Sequence, residues 1–303
     1  MLTPAIDAYL AIRRTAGFQL EVAESLLRNY ARFANERGET HVCTQTALQW
    51  AALAPSLGQR GRRLETVTIF ARHAHVEDSR HEVPASGIFP SQRPPYRPFI
   101  YTSEQIGQLL GHMARLPPIG SLRPWTYSTL IALLAVSGLR ISEALSLRLK
   151  DVTSDGLVIN ETKFHKNRVV PLHPSANAAL ERYLERRRRF GGGDDHVFIS
   201  LRGRALCYPT VVATFLTAVR EMGLHQGPGK RGPRLHDLRH TWAVRALESC
   251  PPGYDFVSQH LVAVSTYLGH AKLASTFIYL HTTPQLLSSI ADRCEFFRQG
   301  DMP

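Results

Sequence analysis

Apolar positions recur at helical spacing through most of the first 78 residues. The runs 4–14, 19–36, 44–52 and 59–74 each carry such a stripe, the mark of an amphipathic helix. In the second run Val22, Leu26, Leu27, Tyr30 and Phe33 fall near one face. Gly17, Gly38 and the stretch 55–58 separate the runs. Four short helices around a modest core are predicted. The pattern then breaks, with Pro84, Pro90, Pro94, Pro95 and Pro98 falling between residues 82 and 98. Proline at that density removes backbone donors and fixes φ, so neither helix nor sheet continues. This stretch reads as a semi-extended linker between two domains.

From Thr102 the helical period returns. The run Thr102–Leu116 opens on a candidate capping box around Ser103 and Gln105. Trp125–Ser137 is almost wholly apolar and reads as a central helix; Ser142–Leu149 follows. The period then changes, because Leu157-Val158-Ile159 and Arg168-Val169-Val170 are short β-branched runs joined by the polar segment 162–167. A β-hairpin is predicted there. The runs 176–189, 208–222, 238–247, 257–268 and 284–297 are helical again. The expected fold class is mainly α: a small N-terminal helical domain, then a mostly helical domain holding a small β-sheet.

Composition narrows the partners. The 303 residues suit about two domains. An apolar fraction of 44% supplies ordinary cores, and a charged fraction of 20% is not that of a disordered chain. No stretch of about 18 uncharged apolar residues occurs, and the start lacks a signal-peptide layout. A soluble cytoplasmic protein without membrane contact is expected. Cys43, Cys207, Cys250 and Cys294 are far apart and form no C-x-x-C pair, so free thiols are expected. The net charge of +11 is uneven: residues 1–95 hold 11 basic against 9 acidic side chains, and residues 96–303 hold 25 against 16. A basic second domain suits a polyanion such as DNA. Arg60, Arg62 and Arg63, which open the fourth run, and Lys166, Lys230, Arg231 and Arg234 in loops are candidate contacts to the DNA backbone. The arginine run 186–189 reads as a solvated helix end, where cations suit the negative pole.

The chemistry lies in a few scattered residues. In the segment 137–148, Ser-Gly-Leu-Arg-Ile-Ser-Glu-Ala-Leu-Ser-Leu-Arg, Gly138 lets the backbone turn and Arg140 starts a new helix. A guanidinium can hold two phosphate oxygens at once, which an ammonium cannot. Glu143, three residues on, can brace it. Lys163 and Lys166 lie in the hairpin turn. His236 and Arg239 stand at i and i+3 and share a helix face; His240, the next position, is expected to point elsewhere and serve the fold. His270 ends Leu268-Gly269-His270, nine residues before Tyr279. Two arginines, a lysine and two histidines can surround one phosphodiester, and a phenol beside them can attack it. A free phenol has a pKa of about 10, so it needs cationic neighbours and a proton acceptor.

Two other chemistries fit less well. His236-Asp237-x-x-His240 resembles a zinc-binding helix with Asp in place of Glu, but it lacks a third ligand and sets Arg239 near the metal. Gly229-Lys230 misses a phosphate-binding loop, since Arg231 stands where Ser or Thr is required and Leu224 where Gly is. No metal and no cofactor are expected.

The set Arg140, Lys163, His236, Arg239, His270 and Tyr279, in this order and with these flanks, resembles the tyrosine recombinase (phage integrase) family over about residues 100–285. The resemblance implies a core-binding helical domain at 1–81, a linker at 82–99, a catalytic domain at 100–282, and a C-terminal helix and tail at 283–303. That tail carries an apolar stripe of Leu286, Leu287, Ile290, Cys294 and Phe297, which would dock into a neighbouring protomer. The family's lysine, here Lys163 rather than Lys166, protonates the departing 5′ oxygen. By the same resemblance Arg140 and Arg239 would clamp the phosphate with His270, His236 would assist, and Tyr279 would be the nucleophile. The resemblance implies site-specific recombination of double-stranded DNA by a homo- or hetero-tetramer of related recombinases through a Holliday junction; the linker and the long segment through 250–255 point to an enzyme of a mobile element. A non-cleaving DNA-binding protein and a type IB topoisomerase are the alternatives. The chain is longer than is usual for the family between Arg239 and His270, through residues 250–255.

Overall fold

The chain separates into two compact units, Met1–Tyr96 and Arg97–Pro303. Its computed structural model describes residues 2–89, 98–160, 167–191, 193–225, 232–249 and 254–269, with Thr276 and Tyr279; of 254–258 it describes the backbone only.

The first unit holds α1 (Leu2–Thr15), α2 (Glu21–Asn35), α3 (Thr44–Ala52) and α4 (Leu57–Glu77). Ser56 caps α4 by accepting the Gln59 N–H at 3.3 Å. Leu2, Ile6, Leu10, Leu27, Tyr30, Trp50, Leu64 and Phe70 fill the core. The Trp50 indole N–H donates to Asn29 Oδ1 at 2.8 Å, so burying its ring leaves no donor unmet. The buried face of α2 is Leu27, Tyr30, Ala31 and Ala34; Val22 is 57% exposed, and Leu26 and Phe33 are half-buried. Val22 stands well round the helix from that buried face and lies in solvent. Residues 82–89 form neither helix nor strand, as the proline-rich stretch that starts there predicts, yet they lie along this unit. Glu82 N–H donates to Val42 O at 2.8 Å, its carboxylate accepts the Thr44 N–H at 2.7 Å, and Pro84 O accepts from Thr68 Oγ1.

The second unit runs α5 (Ser103–Ala114), α6 (Leu122–Ser137), α7 (Ile141–Ser146), a 3₁₀ turn at Leu149–Asp151, β1 (Val152–Thr153), β2 (Gly156–Ile159), β3 (Arg168–Val170), α8 (Pro174–Phe190), α9 (Tyr208–Glu221), α10 (Asp237–Glu248) and α11 (Tyr254–Leu268). Thr102, one residue before Ser103, is the cap of α5 and exchanges hydrogen bonds with Gln105 at 3.0 and 3.1 Å. Helix α6 is central, packed by α5, α8 and α10 and buried at Leu130, Ile131 and Leu134. The strands form one antiparallel sheet in the order β1-β2-β3. Its alternation buries Leu157, Ile159 and Val170 and turns Val169 out. Strand β1 is too short to show any period and was not expected. The arginine run on α8 is not uniformly solvated: Arg186 lies 3.8 Å over the Trp125 ring, and buried Arg187 donates to Asp194 O at 2.5 Å. Cys43 and Cys207 are free thiols. Cys250, Cys294 and the predicted tail helix lie outside the described residues. Among the described residues no helix is long and apolar enough to cross a membrane.

Candidate active site

The site begins where α6 ends. Gly138 takes φ 59°, in the left-handed region that glycine enters without penalty. A Cβ at Gly138 would stand 2.8 Å from the Trp242 ring, which is stacked on Tyr267. Gly138→Ala is therefore expected to cost about 1–3 kcal/mol through strain and overpacking. A lower urea midpoint with an unchanged slope would show it; an unchanged midpoint would mean that Trp242 yields freely.

Past that turn Arg140 becomes the N-cap of α7, its N–H donating to Glu143 Oε2 at 2.9 Å. Its Nη1 donates to Glu143 Oε1 at 2.7 Å and its Nη2 to Gly269 O at 3.2 Å. Arg239, in the first turn of α10, is 2% exposed. Its Nη1 donates to Gly138 O at 2.7 Å and its Nη2 to Leu268 O at 2.6 Å. The two guanidiniums thus tie the ends of α6 and α11 to the starts of α7 and α10. A guanidinium has more donors than these carbonyls use.

The electrostatics favour an anion. Burial pushes Arg239 down to about 10, and the nearby charge of Arg140 adds to the effect. Glu143 acts on Arg239 from a distance, but its carboxylate is already engaged. Arg168 grips both its oxygens at 3.1 and 2.8 Å, and Arg140 shares them. Burial alone would raise the Glu143 carboxyl; the hydrogen bonds from Arg168 and Arg140 outweigh it and hold the group below the usual carboxylate range. Two guanidiniums therefore share one carboxylate, while the buried Arg239 feels it only through charge. Burial, helped by the charges of Arg239, Arg234 and Arg140, pushes His236 down to about 4. Its imidazole is neutral at pH 7 and keeps a lone pair.

Tyr279 is 2% exposed and packs with Val244, Leu247, Val264 and Leu268. Burial pushes its phenol up, while the charge and hydrogen bond of Arg239 pull the other way. His240 does not point elsewhere. Its ring meets His236 edge-on at 4.7 Å and lies 5.3 Å from the Tyr279 ring. The reason is helical spacing: His236 caps α10, so His240 stands at i+4 from it and shares its face. Asp237 is fully buried and accepts the Arg234 N–H at 2.8 Å, so it caps the turn rather than facing a metal-bound water.

Arg140, Glu143, His236, Arg239 and Tyr279 are thus brought together. Lys163, Lys166, Lys230, Arg231 and His270 lie outside the described residues. The Arg234 side chain is half exposed, 3.6 Å from Asp237. In the first unit, Arg60 donates to Ala54 O at 2.8 Å and Arg63 to Trp50 O at 3.1 Å, while Arg62 is exposed. Two side chains at the site escaped the sequence reading, His240 and Arg168. Strand alternation could have flagged the second, because it sets Arg168 on the same inward face as Val170.

Comparison with known proteins identifies the family. The phage integrase family profile matches residues 100–285. A putative integrase/recombinase, y4rB, of Sinorhizobium fredii is 37% identical over 302 residues, covering 96% of each chain. Tyrosine recombinase XerC of Pseudomonas syringae pv. tomato is 33% identical over 233 residues, 76% of this chain and 72% of that protein. Among solved structures, the Tn1549 transposon integrase in complex with transposon right end DNA superposes with a TM-score of 0.67 at 15% identity, covering 98% of this chain and 99% of that one. With the family profile spanning most of the second unit and a relative matched almost end to end, the chain belongs to the phage integrase family and is a tyrosine-type site-specific DNA recombinase.

Proposed function

We propose that Tyr279 opens a DNA phosphodiester held between Arg140 and Arg239. The phenol oxygen bonds to phosphorus, the bond to the 5′ oxygen breaks, and the enzyme is left joined to the 3′ phosphate. His236 takes the phenol proton, Lys163 gives one to the departing 5′ oxygen, and His270 adds a donor to the phosphate. The freed 5′ hydroxyl then attacks the phosphotyrosine of a partner duplex, and four protomers exchange strands in pairs through a Holliday junction. The phosphotyrosyl bond keeps the energy of the diester, so neither ATP nor a metal ion is consumed.

The observation that carries this reading is the buried Arg239 cation. Its burial is unfavourable, and Glu143, the carboxylate that offsets its charge, is shared by Arg140 and Arg168. Such a site gains most from an arriving anion whose charge grows in the transition state, and each preorganised donor contributes roughly 10²–10³ in rate. The neutral imidazole of His236 supplies the acceptor that a phenol needs at pH 7.

Double-stranded DNA would meet Lys166, Lys230, Arg231 and Arg234 of the second unit and Arg60, Arg62 and Arg63 of the first through its backbone. Residues 1–81 would act as the core-binding domain, 82–99 as the linker and 283–303 as a segment docking on a neighbouring protomer. The enzyme would work in the cytoplasm, on a mobile element. The test uses a duplex selected from random DNA by binding to the purified protein, then nicked near the selected site to trap the intermediate. A covalent adduct should form in excess chelator without ATP. Adduct only after zinc or magnesium is restored would overturn the metal-free mechanism, and binding without any adduct would overturn cleavage.

A further inference from the structure

Arg168 has no part in the chemistry described so far, yet it is built into the site. It pairs with Ile159 across the sheet and shares the inward face of β3 with Val170. A charged side chain aimed into a core needs a partner that repays its desolvation. Its partner is Glu143, taken through both oxygens, and the Arg168 side chain is only 14% exposed.

The other neighbour of Arg168 is the turn after α11. Gly269 has φ 66°, and a Cβ there would stand 2.9 Å from Arg168 Nη1. The carbonyl of the same Gly269 accepts from Arg140 Nη2. Arg140, Glu143, Arg168 and Gly269 therefore close a ring of contacts. The ring joins the start of α7, the foot of the hairpin and the turn that leads to His270.

Charge arithmetic says what the ring does. Without Arg168, Glu143 would be a buried carboxylate whose side-chain partner among the described residues is Arg140. Arg140 would close on it with both nitrogens, and the pair would be neutral. Arg168 occupies both carboxylate oxygens, so Arg140 is bound from one side and the group keeps a net positive charge. We propose that Arg168 is a positioning residue of strand cleavage, which holds Glu143 so that Arg140 presents its charge and its remaining donors to the phosphate. This rests on the recombinase reading of the same site.

The test compares wild type with Arg168→Ala, Arg168→Lys, Glu143→Gln and the double variant Arg168→Ala/Glu143→Gln, on the nicked duplex at saturating DNA. Arg168→Ala should slow adduct formation by about 10- to 100-fold, the size of effect seen when the partner that orients a metal ligand is lost. Its affinity for the duplex should change little. The lysine variant should recover part of the rate. Glu143→Gln removes the charge that Arg168 offsets, so the double variant should be no slower than the slower single one. Wild-type rate in Arg168→Ala, or effects that multiply in the double variant, would overturn the proposal. If Arg168→Ala melts early, Arg168→Lys and Arg168→Met carry the comparison. The Arg140 Nε–H resonance, assigned with Arg140→Lys, gives a readout without cleavage: it should shift in each Arg168 variant, and an unmoved signal would also overturn the proposal. A wild type that forms no adduct, with an Arg140 signal that does respond to Arg168, would instead sink the recombinase reading alone.

Discussion

Tyr279→Phe is expected to abolish covalent attachment to DNA while leaving affinity and stability close to those of the wild type. The phenol oxygen is the bond-forming atom of the proposed reaction, so no partial activity is expected. The rest of the side chain is untouched. The Tyr279 ring is 2% exposed and packs in an apolar cluster beside His240, and phenylalanine fills the same space. Among the described residues, the resting protein loses a hydrogen bond with Arg239, worth about 1 kcal/mol net. Loss of that acceptor is offset, because the hydroxyl no longer has to be desolvated. The measurement is an adduct on a denaturing gel from the nicked duplex, beside a mobility shift for binding. An adduct of undiminished yield in the variant would show that another residue attacks. Loss of binding together with the adduct would show that the hydroxyl holds the site in shape.

Much of this architecture is legible from residue order alone, and the exceptions have physical causes. Helix α6 could be read because its apolar run has no polar face to misplace. The first-unit helices could be read because their stripes are short and separated by glycine or proline. The positions of Arg140, His236, Arg239 and Tyr279 were legible because each carries recognisable flanks. What escaped depends on neighbours distant in the chain. The exposure of Val22 follows from which face of α2 the other helices cover, the one with Leu27, Tyr30, Ala31 and Ala34. The inward turn of Arg187 depends on a carbonyl at Asp194 that no helical period announces. His240 was misread because it was counted from Arg239; counted from His236 it shares the face. Arg168 passed as one more basic residue of a hairpin, though its register with Ile159 turns it inward onto Glu143. The depression of His236 to about 4 was also out of reach, since it needs burial and three guanidiniums at once.

Arg239→Lys is expected to cut the rate of adduct formation by about 10²–10³-fold, even though the charge is kept. Arg239 has two tasks that one ammonium cannot combine. It bridges Gly138 O and Leu268 O at 2.7 and 2.6 Å, which closes the ends of α6 and α11 together. It also bears on Tyr279, through charge and a hydrogen bond. A lysine has three donors radiating from one atom, and that atom cannot reach two carbonyls set apart by a planar fork and still face a phosphate. Arg239→Ala should lose at least as much activity and also unfold more readily. It strands two buried carbonyls, at about 1–3 kcal/mol for each one left unsatisfied. Set against this is relief from burying a cation, since Arg239 is held down to about 10 by its surroundings. The comparison with Arg140→Ala separates the two tasks. The Arg140 side chain is 31% exposed and its main partner Glu143 keeps Arg168, so its removal should slow cleavage by a similar factor with little change in melting temperature. Melting curves and single-turnover adduct rates on the three variants decide the matter. Near-wild-type cleavage by Arg239→Lys would show that the site needs only a positive charge at that point, and the clamp of two oriented guanidiniums would have to be given up.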